Sequence, residues 1–230
     1  MTAQGTEQGQ AAAAIWRETS FARDWAAGDS FRDQLALPRQ MAAVIVAGDN
    51  PEPGTVVDIG AGPGDFLAVM LEQFPGARGV WTDASEPMLD LARERLAPFG
   101  DRVTFEIVDM TALDGSPVPA GADIITTSRA AHHLDAPGLA GFYTAAGNLL
   151  APGGWLVNLD HIGPPDVWNT RLRAARKRFG APSNGPSHHH NYPLTSVDDH
   201  LRALATAGFT DVEVAWRAFF TCLFMARKDS

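Results

Sequence analysis

The sequence predicts an α/β fold: a mostly parallel sheet with helices on both faces and a C-terminal antiparallel hairpin strand. Three observations predict it. Short apolar strands alternate with helical stretches between positions 55 and 160. Glycine- and proline-rich breakers separate them. Near the C-terminus two β-rich runs, "DVEVAWR" and "FFTCLFMAR", stand so close together that they must pair antiparallel. Strands spaced by helices make βαβ units, and such units form a parallel sheet buried on both faces.

The elements follow in chain order. Residues 11–27 and 31–47 carry apolar positions at helical spacing: Ile15, Trp16, Phe21 and Trp25, then Phe31, Leu35, Met41, Val44 and Ile45. "GDNPEPG" ends the second of these helices. "TVVDI" is a short strand, and "DFLAVMLEQF" a helix stopped by Pro75-Gly76. "RGVWTD" is the second strand. "SEPMLDLARERL" is a helix with Ser85 as N-cap and Pro87 in the first turn, where proline is tolerated. "RVTFEIVD" and "ADIITTS" are strands three and four. "GLAGFYTAAGNLL" is a helix closed by Pro152-Gly153-Gly154, and "WLVNLD" is strand five. After Asp160 the rhythm breaks into a segment rich in Pro, Gly, Asn and His, with one helix near 166–179. A helix over 196–207 and the final hairpin follow. The expected organisation is one domain over 1–230, in four parts. These are a helical N-terminal cap (1–50), a core (51–160), an insertion on the substrate side (161–195), and a last helix with hairpin (196–230).

Composition narrows the function. The chain has 230 residues, 45% of them hydrophobic, enough for a sizeable core. Its net charge is −9, without the electrostatic footprint of a nucleic-acid binder. The one dense cationic run, "RLRAARKRF" at 171–179, reads as a solvated helix face. Cys222 is the single cysteine and sits in an apolar strand, so neither an internal disulfide nor a cysteine-rich zinc site is available. No apolar run approaches the ~20 residues of a membrane span, and the N-terminus lacks a basic signal-peptide region. These features imply a soluble cytoplasmic protein with no membrane or nucleic-acid partner.

"VVDIGAGPGDF", 56–66, places three glycines at alternate positions behind an apolar strand that ends in an acid. A glycine loop between a strand and a helix is where an open α/β sheet takes its ligand. The spacing departs from the dinucleotide pattern G-x-G-x-x-G, because Asp65 stands where that pattern wants its last glycine. No Gly-Lys-Ser/Thr follows, so the phosphate-binding loop fails too. Asp58 would repel a pyrophosphate and suits a ligand carrying positive charge. Asp83 ends the second strand, where an acid accepts ribose hydroxyls. Asp109-Met110 ends the third, and Ser128-Arg129 followed by "AAHHLD" ends the fourth. Four strands thus deliver polar groups to one edge.

Together, "VVDIGAGPG", "WTDASEPMLDLARERL", "FEIVDMTAL", "ADIITTSRAAHHLD" and "LLAPGGWLVNLD" resemble the ordered motifs of class I S-adenosylmethionine-dependent methyltransferases, most closely the bacterial small-molecule type. The resemblance covers residues 54–160 well, and the C-terminal tail fits the family's final hairpin. It implies a Rossmann-like class I methyltransferase sheet, S-adenosyl-L-methionine as cofactor, and a monomer or homodimer. By position it implies that Gly60, Gly62 and Gly64 form the loop under the methionine part and that Asp58 orients its ammonium. Asp83 would bind the ribose, Met88 and Met110 would flank the adenine, and Asp109 would accept from its amino group. Ser128 would lie near the transferred methyl. For both methionines ordinary core packing is the competing reading.

Methyl transfer from a sulfonium needs alignment above all, and a base only where the nucleophile must lose a proton. His132 and His133 follow strand four, and His161 follows strand five. In some members of the family the histidine before an aliphatic residue in this segment is catalytic, which points to His133. Alternatively, His133 caps the short helix behind the strand and only shapes the pocket. Arg129 suits either Asp160 or a substrate carboxylate. The His188-His189-His190 run reads as a substrate-facing or a plain solvated loop; consecutive side chains seldom converge on one ion, so no metal is expected. Trp16, Phe21, Trp25 and Trp168 suggest an apolar or aromatic substrate. A second function fits the same motifs: a protein of this fold that binds the cofactor but catalyses cyclisation or elimination. A nicotinamide oxidoreductase is disfavoured by the loop spacing.

Overall fold

The computed structural model describes residues 34–179 and 193–229, together with the isolated positions Glu18, Ser20 and Asp24. Its elements run α1 (Ala36–Asp49), β1 (Thr55–Ile59), α2 (Asp65–Gln73), β2 (Arg78–Asp83), α3 (Glu86–Leu96), β3 (Val103–Ile107), β4 (Ala122–Ser128), α4 (Ala136–Leu149), β5 (Leu150–His161), α5 (Asp166–Phe179), α6 (Val197–Thr206), β6 (Phe209–Ala218) and β7 (Thr221–Lys228). Short 3₁₀ turns lie at Ala97–Arg102 and Ala131–His133.

One seven-stranded sheet carries them, in the order β3-β2-β1-β4-β5-β7-β6. The first five strands are parallel, and β7 runs antiparallel to both β5 and β6. From β1 the chain steps outward through β2 to β3, then returns to the other side of β1 for β4 and β5. The reversal opens a crevice at the carboxyl ends of β1 and β4, where α/β sheets hold ligands.

Successive residues of each strand enter different cores, which is why the strands read as unbroken apolar runs. Val56, Ile124, Val157 and Leu159 pack under α1, α2 and α3, against Val46, Phe66, Leu67 and Leu96. Val57, Ile125, Leu156 and Phe224 pack under α4 and α6, against Leu139, Phe142, Tyr143 and Leu204. The cap expected at Ser85 is present. Ser85 accepts from the Met88 amide at the start of α3, with proline in the first turn. Ser196 and Asp199 form a reciprocal capping box on α6.

Several details differ from expectation. The helix expected over 31–47 is Ala36–Asp49 among the described residues, and its buried face is Pro38, Arg39, Ala42, Ala43 and Val46. Val44 and Ile45, expected inside, are 61% and 41% exposed. The 3.6-residue repeat turns small alanines inward here, and residue size misled the phase. The third strand stops at Ile107, so Asp109-Met110 opens the following loop instead of ending the strand. Strand five starts at Leu150 and absorbs Pro152-Gly153-Gly154 at a register shift against β4. Helix α5 matches its expected span and contributes no buried residue, in keeping with a solvated cationic face. Ile15, Trp16, Phe21, Trp25, Phe31 and the His188-His189-His190 run lie outside the described residues.

Candidate active site

The crevice at the switch point is a cleft of about 1010 Å³, counting the part open to solvent. Asp58, Gly60, Gly62, Asp83, Met88, Asp109, Met110, Ser128 and His133 all line it. Gly64, His132 and His161 are not among the residues that line it.

The glycine loop is shaped by backbone conformation. Gly60, Gly62 and Gly64 have φ of 62°, 51° and 85°, a region that L side chains rarely adopt. A Cβ on Gly60 would lie 2.6 Å from the Ala130 Cβ, and one on Gly64 2.8 Å from Leu96 Cδ1. Gly62 is different: nothing lies within 4 Å of its Cβ position, so its missing side chain leaves open room in the cleft wall. Three hydrogen bonds tie the loop to β2. The Ala61 amide donates to the Thr82 carbonyl at 2.9 Å, the Trp81 indole N–H donates to the Gly62 carbonyl at 2.8 Å, and the Gly62 amide donates to Asp83 Oδ2 at 2.9 Å. Gly64 opens α2.

The acids line one edge. Asp83 Oδ1 also accepts the Ser85 amide at 2.9 Å, and burial pushes its carboxyl up to about 6 against the pull of those amides. Asp58 is buried beneath the loop, accepting the Thr126 hydroxyl on Oδ1 at 2.8 Å and the Leu67 amide on Oδ2 at 3.2 Å. Burial pushes it up to about 7, while Thr126 and the charge of Arg39 pull it down. Asp109 accepts the Thr111 amide and hydroxyl on one oxygen, at 2.9 and 2.7 Å. Its other oxygen carries no hydrogen bond among the described residues.

Beyond β4 the construction changes. Asp160, at 0% exposure, accepts the His132 amide on Oδ2 at 2.8 Å, and on Oδ1 the His161 amide at 2.7 Å. His132 Nδ1 stands 2.6 Å from that same Oδ1. With Asp160 ionised, Nδ1 carries the proton. The His132 ring lies 4.2 Å from that of His133 and 5.1 Å from that of His161, centroid to centroid. His161 Nδ1 reaches Thr221 Oγ1 at 3.2 Å. Three histidines from two strand ends thus gather round one buried carboxylate, and of the three His133 faces the cleft. Asp135, not His133, caps α4, so the capping role considered for His133 falls to its neighbour. Asp160 is met by His132 and the His161 amide. Among the described residues no group of His, Cys, Asp or Glu has the geometry of a metal site.

Two observations bear on the cofactor. The open Cβ position of Gly62 leaves space for a ligand close against backbone, and the Oγ of Ser128, buried in the cleft wall, has no hydrogen-bond partner among the described residues. Both fit a ligand with polar atoms that completes the wall. The acids fit one that brings positive charge.

Sequence reasoning did not single out Arg39, Phe66, Val108 or Leu134, which also line the cleft. Arg39 had a faint signal, a lone cation on the inward face of an otherwise apolar helix.

Comparison with known proteins agrees with this geometry. Residues 57–156 match the family model described as a methyltransferase domain. A demethylmenaquinone methyltransferase of Thermus thermophilus is 36% identical over 117 residues, 49% of this chain and 50% of that protein. A trans-aconitate 2-methyltransferase of Acidovorax ebreus is 30% identical over 173 residues, 69% of this chain and 63% of that one. The chain therefore spans about half the length of the first of these relatives. Among solved structures, a Burkholderia thailandensis 1,6-didemethyltoxoflavin N1-methyltransferase superposes with a TM-score of 0.67 at 23% identity, covering 96% of this chain and 91% of that one. It shares the fold. Sheet order, glycine loop, edge acids and family match agree, and the chain belongs to the class I S-adenosylmethionine-dependent methyltransferases.

Proposed function

We propose that this protein transfers a methyl group from S-adenosylmethionine to a small apolar or aromatic metabolite. The observation that carries the reading is the cleft at the switch point, where a glycine loop with an open Cβ position faces three acids. When bound, the cofactor supplies an electrophilic methyl on a sulfonium that leaves as a neutral thioether. The chain's own residues align and shield. Gly60 and Gly62 let the ligand touch backbone, and Asp83 accepts the ribose hydroxyls while holding the loop through the Gly62 amide. Met88, Val108 and Met110 enclose the base, with Asp109 accepting from its amino group. Positioning of this kind supplies ~7–11 kcal/mol of a displacement barrier.

His133 is the group at the open end that takes a proton from the nucleophile. The His132–Asp160 pair beside it is buried and holds the histidine turn in place. Leu134, next to His133, adds apolar lining at that end, which supports an apolar or aromatic substrate. The protein works away from membranes. In support, no described helix is long and apolar enough to cross one.

Incubation with methyl-labelled S-adenosylmethionine and a panel of phenols, quinols, heteroaromatic amines and aliphatic acids tests the reading. Label should move to an aromatic acceptor. Cofactor binding with the label retained, together with rearrangement or elimination in the acceptor, would replace it with the non-methylating alternative.

A further inference from the structure

Three consecutive residues of β2 grip the glycine loop. Trp81 donates its indole N–H to the Gly62 carbonyl at 2.8 Å, the Thr82 carbonyl accepts the Ala61 amide at 2.9 Å, and Asp83 Oδ2 accepts the Gly62 amide at 2.9 Å. Trp81 and Asp83 are two positions apart, so their side chains stand on one face of the strand. Gly62 is thereby held at both of its peptide groups, the carbonyl by an indole and the amide by a carboxylate. Trp81 is fully buried in the core under α2 and α3, its ring tilted against Phe105 at 5.9 Å between centroids. It is not among the residues that line the cleft.

The amides of the loop show what this grip achieves. Pro63 has no N–H, and the Gly64 amide donates to the Ala61 carbonyl at 2.9 Å. From Ala61 to Gly64, then, every N–H is used inside the protein. Just beyond, the Leu67 amide of α2 donates to Asp58 Oδ2 at 3.2 Å. A loop that cradles phosphate turns its amides toward the ligand. This loop turns those four positions away and presents the open Cβ side of Gly62. Contact of that kind is contact by shape, and it depends on where the Gly62 backbone stands. Glycine is the residue least able to fix its own backbone, so the φ of 51° has to be held by its partners.

We infer that Trp81 is a positioning residue for the cofactor: its indole N–H fixes the Gly62–Pro63 peptide, and through it the Gly62 amide on Asp83, so that the loop meets a nucleoside by shape and gives no amide to a phosphate. The inference rests on the cofactor reading above and adds a residue that acts only through the loop.

Calorimetric titration with S-adenosylhomocysteine on two variants tests it. Trp81→Phe keeps an aromatic ring and removes the donor. Phe105→Leu disturbs the same packing and removes no hydrogen bond to the loop. Trp81→Phe should weaken S-adenosylhomocysteine roughly 3- to 10-fold, the range of one neutral hydrogen bond, while Phe105→Leu stays within about twofold of the wild type. Unchanged affinity in Trp81→Phe, or equal weakening in both variants, would make Trp81 a packing residue and overturn the inference. The wild-type protein supplies a second measurement that does not require either variant to fold. The Trp81 indole N–H resonance, assigned through its contact with the Phe105 ring, should be protected from solvent exchange and should shift when S-adenosylhomocysteine saturates the site. A resonance unmoved at saturation overturns the inference. A wild-type protein that binds no S-adenosylhomocysteine would overturn the cofactor reading itself, a different result from any of these.

Discussion

The two ends of the cleft are built in different ways. The β1–β3 end is made of backbone: three glycines in left-handed conformations, amides donating to Asp83, an indole fixing a carbonyl. The β4–β5 end is made of side chains, with three histidine rings around one buried carboxylate. Backbone construction gives a fixed socket for a ligand that never changes. Side-chain construction gives a surface that substitution can retune without disturbing the sheet, as a protein choosing its own acceptor requires. If the division holds, changes at one end should alter binding of the cofactor and changes at the other should alter turnover.

The largest expected effect is at the histidine end. His133→Ala should lower turnover by ~10²–10⁴-fold and leave S-adenosylhomocysteine affinity within a few-fold. Steady-state rates beside calorimetry separate the two, and a joint loss would erase the division. Next is Asp160→Ala, which strips two amides and a buried ring nitrogen of their acceptor. It should cost about 3–5 kcal/mol of stability in a urea melt; an unchanged midpoint would show that the histidine turn does not depend on the carboxylate.

The socket should respond more gently and more selectively. Gly60→Ala brings a Cβ to 2.6 Å from the Ala130 Cβ at a φ of 62° and should lower both stability and affinity, by about 1–3 kcal/mol each. Gly62→Ala meets open space, so the added methyl should weaken S-adenosylhomocysteine with the smaller stability cost of the pair, about 1 kcal/mol. Thermal melts with and without ligand tell the two glycines apart.

The smallest effect is a pH dependence. Asp83 has its carboxyl raised from 3.8 to about 6 by burial. Below pH 4 it is protonated in folded and unfolded chains alike, and its contribution to stability is fully present. As pH rises through 6 the folded chain must carry a buried charge, and that contribution is lost. A ligand donating to the ionised carboxylate reverses the sign for binding. Affinity for S-adenosylhomocysteine should rise by at most about tenfold per pH unit between 5 and 6, then flatten. Asp83→Asn should remove that slope. Any slope that persists toward pH 7 belongs to Asp58, which burial raises to about 7.

The same division explains what could be read from sequence. The socket was legible because its parts are contiguous: Asp58 to Gly64 is one turn, and Asp83 and Asp109 close the next two βαβ steps. The capped start of α3 was legible because a cap is a local hydrogen bond. The His132–Asp160 contact spans 28 positions and depends on β4 lying beside β5, which no local pattern states. The inward face of α1 was misread because Ala42 and Ala43 carry little hydrophobic signal, while Val44 and Ile45 carry much and face water. Arg39 was missed for the same reason.

The most direct test of the central claim is titration of the wild-type protein with S-adenosylhomocysteine and with NAD, each repeated on Asp83→Ala. The account predicts saturable one-to-one binding of S-adenosylhomocysteine, no saturation with NAD, and roughly tenfold or greater weakening in the variant from lost hydrogen bonds to a charged group. Binding of NAD, or undiminished S-adenosylhomocysteine affinity in the variant, would contradict it.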